Sequence, residues 1–255
     1  MKRLCWMMLA AALTAGMAWG QEIQGVVITP EGKRLSGAIK WKPSSKAYAF
    51  KQTGVNAEIE LPLDKVADLE IPKPANFDGA VAKVVGGNAA AAISDLKGII
   101  TAYNHLKWDE TATRYLAEAY LKSGNAKEAK DVCEKVVSQN AEAAYKGDVA
   151  PVYWDALIAC DRAAKAEELM TKAIRTGDRP ASAFAAICRG DLVLKESQTP
   201  DAQKKALRDG YLRVVALYQD VPEARAKAAE KAAKCFEKLG QSGRAQTMRQ
   251  LAAGK

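Results

Sequence analysis

The spacing of apolar and polar residues changes once along the chain, near Pro72 to Pro74. Before this point apolar side chains recur at every second position, which is the period of a half-buried β-strand. Beyond it they recur at intervals of three and four residues, as on an amphipathic helix. Each proline disfavours helix at the preceding residue and so marks a boundary. We therefore expect a small β module over residues 21–73 and a helical domain over residues 76–255.

The β module is expected to contain short strands separated by turns. The turns are predicted at Pro30–Lys33 and Thr53–Asn56, which are rich in proline, glycine and asparagine. The strand candidates between them are residues 23–28, 35–41, 47–51, 59–63 and 66–71. Five short strands in about fifty residues indicate a small antiparallel barrel or rolled sheet.

The helical domain contains a repeated turn. The stretch Leu116 to Val137 is predicted to form two amphipathic helices joined at Gly124, and Gly87 lies 37 residues earlier in a similar turn. A further shift of 37 residues places Asp161 at the next turn, and Gly240 repeats the turn 116 residues after Gly124. Five helical hairpins follow, over residues 76–106, 109–140, 150–177, 180–220 and 222–253, with Pro200 at the turn of the fourth. Asn76 and Asp109 are candidate N-caps.

The residue types in these hairpins resemble those of tetratricopeptide repeats. The resemblance is carried by Leu116, Ala117, Tyr120, Ala129 and Val136, and in the last hairpin by Ala232, Ala233, Phe236, Ala245 and Ala252. The third hairpin departs from it, because Trp154 stands where a small residue is usual. The resemblance implies a mainly α fold, an α-solenoid of about five stacked hairpins. The strand spacing of the β module is similar to that of SH3- or Sm-like barrels.

Tetratricopeptide arrays present a concave groove lined by the first helix of each hairpin. The resemblance therefore implies that a protein or peptide partner contacts these helices, and it implies no catalytic residue and no cofactor. The implied partner-binding residues are Arg114, Glu118, Leu121, Lys122, Asp155 and Ile158, with Glu230, Lys234 and Glu237 on the last hairpin.

Residues 1–20 have the composition of a secretory signal peptide. Lys2 and Arg3 precede the apolar run Leu4 to Leu13, and Ala18 and Gly20 supply the small residues before a cleavage site. The apolar run is short for a bilayer span, although an uncleaved anchor is the alternative. We therefore expect an exported protein of the bacterial envelope, located in the periplasm or secreted, with no later transmembrane segment.

Charge and composition favour a protein surface over a nucleic-acid surface. The chain carries a net charge of +8, which falls to +6 when Lys2 and Arg3 are removed with the signal peptide. The remaining excess is spread over helices of mixed sign, a pattern typical of a solvated face. No dense basic run interleaved with aromatic residues is present, so nucleic-acid binding is not expected. Anionic envelope polymers remain an alternative that this charge would permit.

The sequence contains few candidates for chemistry. Cys133, Cys160, Cys188 and Cys235 fall on the core side of predicted helices and are expected to be small buried apolar residues, although an oxidising compartment would also allow disulfides. Their spacing fits no metal site. His105 is the only histidine, and no hydrolase or zinc-protease motif accompanies it. We therefore expect a protein that is not an enzyme and holds no metal.

Three functions are compatible with these patterns. The first is an exported scaffold or adaptor that binds a protein or peptide partner in the cell envelope. The alternative is a polysaccharide- or peptidoglycan-binding module, which would need Trp41 and Tyr48 to form an exposed flat platform. The third is an enzyme with a deep polar pocket around His105.

Overall fold

The computed structural model describes residues 22–254, which divide into two compact units. The first unit ends at Glu70 and the second begins at Ile71. The predicted signal peptide, residues 1–20, lies outside the described residues, and so does Lys255.

The first unit is an antiparallel sheet of five strands. The strands are β1 (Ile23–Ile28), β2 (Arg34–Lys42), β3 (Ala47–Gln52), β4 (Glu58–Pro62) and β5 (Asp68–Glu70), with a 3-10 turn at Leu63–Lys65. Their order in the sheet is β4-β3-β2-β1-β5, so the last strand returns to pair with the first. β4 and β5 are the two edges, which means that the hydrogen bonding of the described strands forms an open sheet and not a closed barrel. The predicted antiparallel β module is confirmed.

The period-two pattern explains the buried face of this sheet. Val27, Ile39 and Phe50 are fully buried, and Ile39 pairs directly with Phe50 across β2 and β3. Gly37 precedes Ile39 by two positions and lies against β3. A Cβ atom added there would come within 2.3 Å of the Lys51 carbonyl oxygen, so the strands can approach this closely only because the residue is glycine.

The second unit is a succession of helices arranged as hairpins. They are α1 (Phe77–Val85), α2 (Ala89–Ala102), α3 (Trp108–Lys122), α4 (Ala126–Gln139), α5 (Val149–Ala159), α6 (Ala163–Arg175), α7 (Arg179–Glu196), α8 (Pro200–Ala206), α9 (Leu212–Leu217), α10 (Pro222–Lys238) and α11 (Ser242–Ala252). Residues Leu207–Tyr211 form a π-helical turn between α8 and α9. The predicted solenoid-like series of five hairpins after a small sheet is confirmed for the described residues.

The repeated turn predicted from the sequence is present in four of these hairpins. The residue at the turn has a positive φ at Gly87 (90°), Gly124 (79°), Asp161 (58°) and Gly240 (71°). In each case the next residue donates its backbone N–H to the carbonyl five residues earlier, as in Asn125 to Tyr120 and Gln241 to Phe236, both at 2.8 Å. This bond satisfies a carbonyl that the end of the helix leaves without a partner. The 37-residue spacing therefore reflects one backbone motif.

Small residues occupy the close contacts between the helices of each hairpin. Ala117 and Ala129 in the second hairpin, Ala166 in the third and Ala245 in the fifth are all fully buried. A methyl side chain lets two helix axes approach closely, and larger side chains such as Leu116 and Met170 fill the space beside them. The alternation of large and small apolar residues thus positions each hairpin against the next.

Trp154 shows how the third hairpin departs from the repeat. It is fully buried, and its indole Nε1 donates a hydrogen bond of 2.8 Å to the carbonyl oxygen of Ala144. Ala144 ends a 3-10 turn, Ala141–Ala144, that the sequence pattern did not predict. The longer connection between α4 and α5 therefore supplies both the room and the acceptor that a large indole needs.

Three details differ from the sequence prediction. α3 begins at Trp108, and the Asp109 carboxylate accepts the His105 backbone N–H at 2.7 Å, so Asp109 lies in the first turn and is not the N-cap. Asn76 occupies the N-cap position of α1, but its side chain makes no capping hydrogen bond. Cys160 is only half-buried, because it is the C-cap of α5 and not part of the helix, whereas the other three described cysteines are buried.

Candidate functional site

A cavity of about 660 Å³ opens on the helical unit, and the first helices of four consecutive hairpins line it. We call it the groove. Its α3 wall consists of Arg114, Glu118, Leu121 and Lys122. Residues at the start of α5 follow: Gly147, Asp148, Pro151, Val152 and Asp155. The other walls are Asp178, Pro180, Ala181 and Phe184 at α7, and Asp220, Val221, Pro222, Glu223 and Lys227 at α10.

The groove lies at the amino-terminal ends of three of these helices. Pro151, Pro180 and Pro222 each sit in the first turn of a helix and each lines the groove. Proline is tolerated there because the first N–H groups of a helix have no partner inside the helix. The prolines that start the hairpins in the sequence therefore converge on one surface in the fold.

The floor of the groove is apolar. Val152 is buried, while Leu121 and Phe184 are half-buried and face the cavity. The ammonium of Lys227 lies 5.7 Å from the centroid of the Phe184 ring, so a cation borders this apolar floor. A surface of this kind can bury an apolar side chain of a ligand.

An ion pair spans the groove from α3 to α10. The Arg114 guanidinium contacts both carboxylate oxygens of Glu223, one of them at 3.4 Å, and it also lies 5.2 Å from the centroid of the Tyr115 ring. Burial by itself would lower the pKa of Arg114. The hydrogen bond and the negative charge of Glu223 have the larger effect, so the pKa of Arg114 is raised. The guanidinium therefore stays charged and links the second hairpin to the fifth.

A second charged pair lies deeper, where α5 meets α7 and α10. One Asp155 oxygen accepts the Cys188 thiol at 3.3 Å, and the other lies 3.8 Å from the Lys227 ammonium. Burial raises the pKa of Asp155, and the charge of Lys227 opposes that rise. Burial and the neighbouring Asp155 carboxylate hold the pKa of Cys188 well above its usual value, so this thiol stays protonated and is a poor nucleophile.

Five of the nine partner-binding residues predicted from the sequence line this one cavity. They are Arg114, Glu118, Leu121, Lys122 and Asp155. Lys122 also pairs with Glu118 at 2.9 Å and donates to the Val84 carbonyl at 3.0 Å, so it ties α3 to α1. That these residues bind a partner stays a prediction.

Ile158 does not line the groove. It is 7% exposed and belongs to the core, because α5 is surrounded by neighbouring helices and buries most of its residues. Glu230, Lys234 and Glu237 are exposed but also lie outside the groove, since only the first half of α10, up to Lys227, reaches it. The repeat pattern therefore predicts groove-lining residues correctly on α3 and at Asp155 of α5, but not at Ile158 or on α10.

The structure adds residues that the sequence analysis did not select. Asp148, Phe184, Glu223 and Lys227 line the groove without matching a repeat position. Pro151, Pro180 and Pro222 could have indicated them in the sequence. Residues near these prolines lie at the amino-terminal ends of helices that line the groove.

The other candidates for chemistry do not line the groove. His105 lies in the connection before α3, with a φ of 59°, and does not line this cavity. Within residues 22–254, no group of three or more histidine, cysteine or acidic residues could hold a metal ion. The four cysteines of the described chain are free thiols.

Trp41 and Tyr48 do not form the flat platform that the polysaccharide hypothesis requires. They are cross-strand partners whose rings are 5.1 Å apart and inclined at 65°, an edge-to-face arrangement. Tyr48 is 7% exposed. The pair therefore packs as a structural contact, and its geometry does not favour stacking on a sugar ring.

Comparison with known proteins gives a family match for part of the helical unit. Residues 86–150 match the family described as Tetratricopeptide repeat. No match was found among curated proteins.

Similar solved structures include two crystal structures of MamA. One is 16% identical, with a TM-score of 0.37 over 69% of this chain and 87% of MamA. The other is 15% identical, with a TM-score of 0.38 over 72% of this chain and 95% of MamA. A Podosopora anserina protein of the kinesin light chain type with nearly identical TPR-like repeats is 16% identical, with a TM-score of 0.37 over 71% and 92% of the two chains. The family match runs from the turn before α2 to the start of α5, within a longer array of helical hairpins.

Proposed function

We propose that this protein is an exported, non-enzymatic scaffold that binds a protein or peptide partner in the cell envelope through the groove. The observation that carries the proposal is the groove itself, in which the first helices of hairpins two to five bring an apolar floor and a charged rim together. Its volume of about 660 Å³ lies in the range of ligand-binding clefts. A surface built from four hairpins also suits an extended partner more than a small molecule.

Export is supported by the sequence of residues 1–20, with its basic start, short apolar run and small residues before Gln21. None of the helices in residues 22–254 is both long and apolar enough to cross a membrane. Cell fractionation and amino-terminal sequencing of the mature protein test this part. We expect a protein that begins at Gln21 in the periplasmic or secreted fraction, and a full-length cytosolic protein would contradict it.

Partner capture with matched variants tests the binding surface. Leu121→Lys places a charge on the half-buried apolar floor of the groove, whereas Ile174→Lys introduces a lysine on α6, where Ile174 is 38% exposed and lies outside the groove. We expect envelope proteins recovered by the wild type to be retained by Ile174→Lys and lost by Leu121→Lys. Equal recovery by both variants would show that partners bind elsewhere.

A further inference from the structure

The groove is acidic although the protein is basic. Six carboxylates line it against three cations, whereas the whole chain has 38 lysine and arginine residues against 30 acidic residues. The groove therefore has a net negative charge, whereas the chain as a whole has a net positive charge. A second cavity of about 520 Å³ on the same unit shows the contrast, because its charged lining is Lys204, Arg208, Arg213 and Arg244 with no carboxylate.

All three cations of the groove already have carboxylate partners within it. Arg114 is bound to Glu223, Lys122 to Glu118 at 2.9 Å, and Lys227 to Asp155 at 3.8 Å. An anionic ligand would have to break these pairs and would also face the remaining carboxylates. The groove is consequently a poor site for an acidic peptide.

Among the remaining carboxylates, two have partners of their own. Asp220 pairs with Arg179, which lies outside the groove, and Asp178 caps α7 by accepting the Ala181 N–H at 2.7 Å. Asp148 is different. It occupies the N-cap position of α5, but its exposed side chain makes no capping bond, and within residues 22–254 it has no hydrogen bond or ion pair.

The surroundings of Asp148 extend this negative region. Glu110 shares a smaller neighbouring cavity with Asp148. Burial raises the pKa of Glu110, and the charges of Asp109 and Asp148 raise it further. Glu110 has no ion pair within the described residues. Lys146 lines the same small cavity but is paired with Glu142 at 3.2 Å, and Arg114, whose pKa the charge of Asp148 helps to raise, is paired with Glu223.

We propose that the partner presents a cationic side chain beside apolar side chains, with the cation at Asp148 and an apolar group on the floor formed by Leu121, Val152 and Phe184. This inference rests on the proposed function, because it describes the ligand of the same groove. A lysine or arginine gains a carboxylate that has no ion pair within residues 22–254, while its apolar neighbour is removed from water. Charge complementarity of this kind gives specificity and faster association.

Selection from a displayed library of random dodecapeptides tests the inference. The mature wild-type protein is used first, and a synthetic peptide with the recovered consensus then serves as the probe for fluorescence anisotropy. We expect recovered peptides to be enriched in lysine or arginine adjacent to apolar residues. We also expect their affinity to fall as salt rises, because the ion pair is near the surface.

Two substitutions of Asp148 and one control substitution test whether this carboxylate binds the cation. Asp148→Lys should weaken binding of the consensus peptide by about tenfold or more, and Asp148→Asn should have an intermediate effect. Glu128→Lys is the control, since Glu128 is an exposed acid in the first turn of α4 and lies outside the groove. It removes a similar charge from a helix start and should change affinity by less than about twofold. Thermal unfolding of each variant confirms that it is folded.

The outcomes separate this inference from the proposed function. Cation-rich peptides that lose affinity in Asp148→Lys and in Leu121→Lys support both. Neutral or acidic peptides that depend on Leu121 but not on Asp148 overturn the cationic partner and leave the groove as a binding site. Peptides whose binding is unaffected by Leu121→Lys, or the absence of selected peptides, overturn both.

Discussion

The second and fourth hairpins solve the same packing problem with different residues. In the second, α3 packs against α4 with Ala117 and Ala129 fully buried, and the turn at Gly124 is closed by the Asn125 to Tyr120 hydrogen bond of 2.8 Å. In the fourth, α7 packs against the continuous helical segment Pro200–Leu217, which contains the π-helical turn. Regular repeat geometry is thus kept in one hairpin and abandoned in the other.

The fourth hairpin uses glycine where the second uses alanine. A Cβ atom on Gly210 would lie 2.9 Å from the Ala186 carbonyl oxygen and 3.0 Å from the Gly190 Cα, so the two backbones are in contact. The Tyr211 hydroxyl donates a hydrogen bond of 2.7 Å to the Asp191 carboxylate on α7. The Lys231 ammonium on α10 donates to the same carboxylate, also at 2.7 Å. The extra residue of a π-helical turn lets Gly210 and Tyr211 face α7 together. A polar network therefore replaces part of the apolar contact of the regular hairpin.

The largest loss of stability is expected from a substitution at the buried alanines of the second hairpin. Ala129→Asp places a carboxylate at a fully buried position without a partner, which should lower the free energy of unfolding by about 4 kcal/mol. Denaturant unfolding followed by circular dichroism measures the change. Ala164→Asp, at an exposed position of α6, is the control and should remain within about 0.5 kcal/mol of the wild type. A folded Ala129→Asp variant of wild-type stability would refute the packing register.

Gly210→Val tests the backbone contact of the fourth hairpin. The added atoms would overlap main-chain atoms of α7, and because backbone cannot rotate away we expect a loss of about 3 kcal/mol. Gly98→Val is the matched change on α2, where an added Cβ would have no atom within 4 Å, and it should cost little. The same unfolding measurement compares them. Equal stability of the two variants would mean that α7 and the π-helical turn are not in close contact.

Tyr211→Phe removes only the hydroxyl of the polar network. Asp191 keeps Lys231 but loses one charge-assisted hydrogen bond, which should cost about 2 kcal/mol. Tyr218→Phe on the same hairpin is the control, because its half-buried ring packs beside Arg179 and the ring is retained. If Tyr211→Phe were as stable as this control, the network would contribute nothing to the fourth hairpin.

The smallest effects concern the turns. Gly124 has a φ of 79°, so Gly124→Ala should cost about 1 kcal/mol through backbone strain. Asp161 already holds the equivalent turn at a φ of 58° and pairs with Lys195 at 2.8 Å. Asp161→Gly should therefore change stability by less than about 0.5 kcal/mol, because relieved strain offsets the loss of an exposed ion pair. Thermal unfolding of both variants gives the difference, and a neutral Gly124→Ala would contradict the shared turn geometry.

Much of the fold could be predicted because its determinants are local. Turn residues such as Gly87, Gly124 and Gly240 act on the backbone within five residues, and the large–small apolar pattern repeats along each helix. The fourth hairpin was predicted only in outline. Its π-helical turn depends on Gly190 and Gly210 meeting from distant parts of the chain, and no periodicity records such a contact.

The groove was predicted only in part, because only some of its residues follow from local sequence patterns. Arg114, Glu118 and Leu121 could be assigned because the repeat pattern defines one face of α3. Ile158 was misplaced because the burial of α5 depends on helices packed around it, and not on its own pattern. Glu223 was not found because its partner, Arg114, is 109 residues away.

The sequence by itself determined the two periodicities, the helical hairpins, their shared turns and the small residues where helices approach. These properties arise from interactions between residues near one another in the chain, so each segment encodes them separately. Only the tertiary structure decided that the hairpin-starting prolines converge, that Arg114 reaches Glu223, and that a basic protein has an acidic groove in which Asp148 has no ion pair among the described residues. Charge and shape at a surface depend on which distant residues the stacking of helices brings together, and stacking is a property of the whole array.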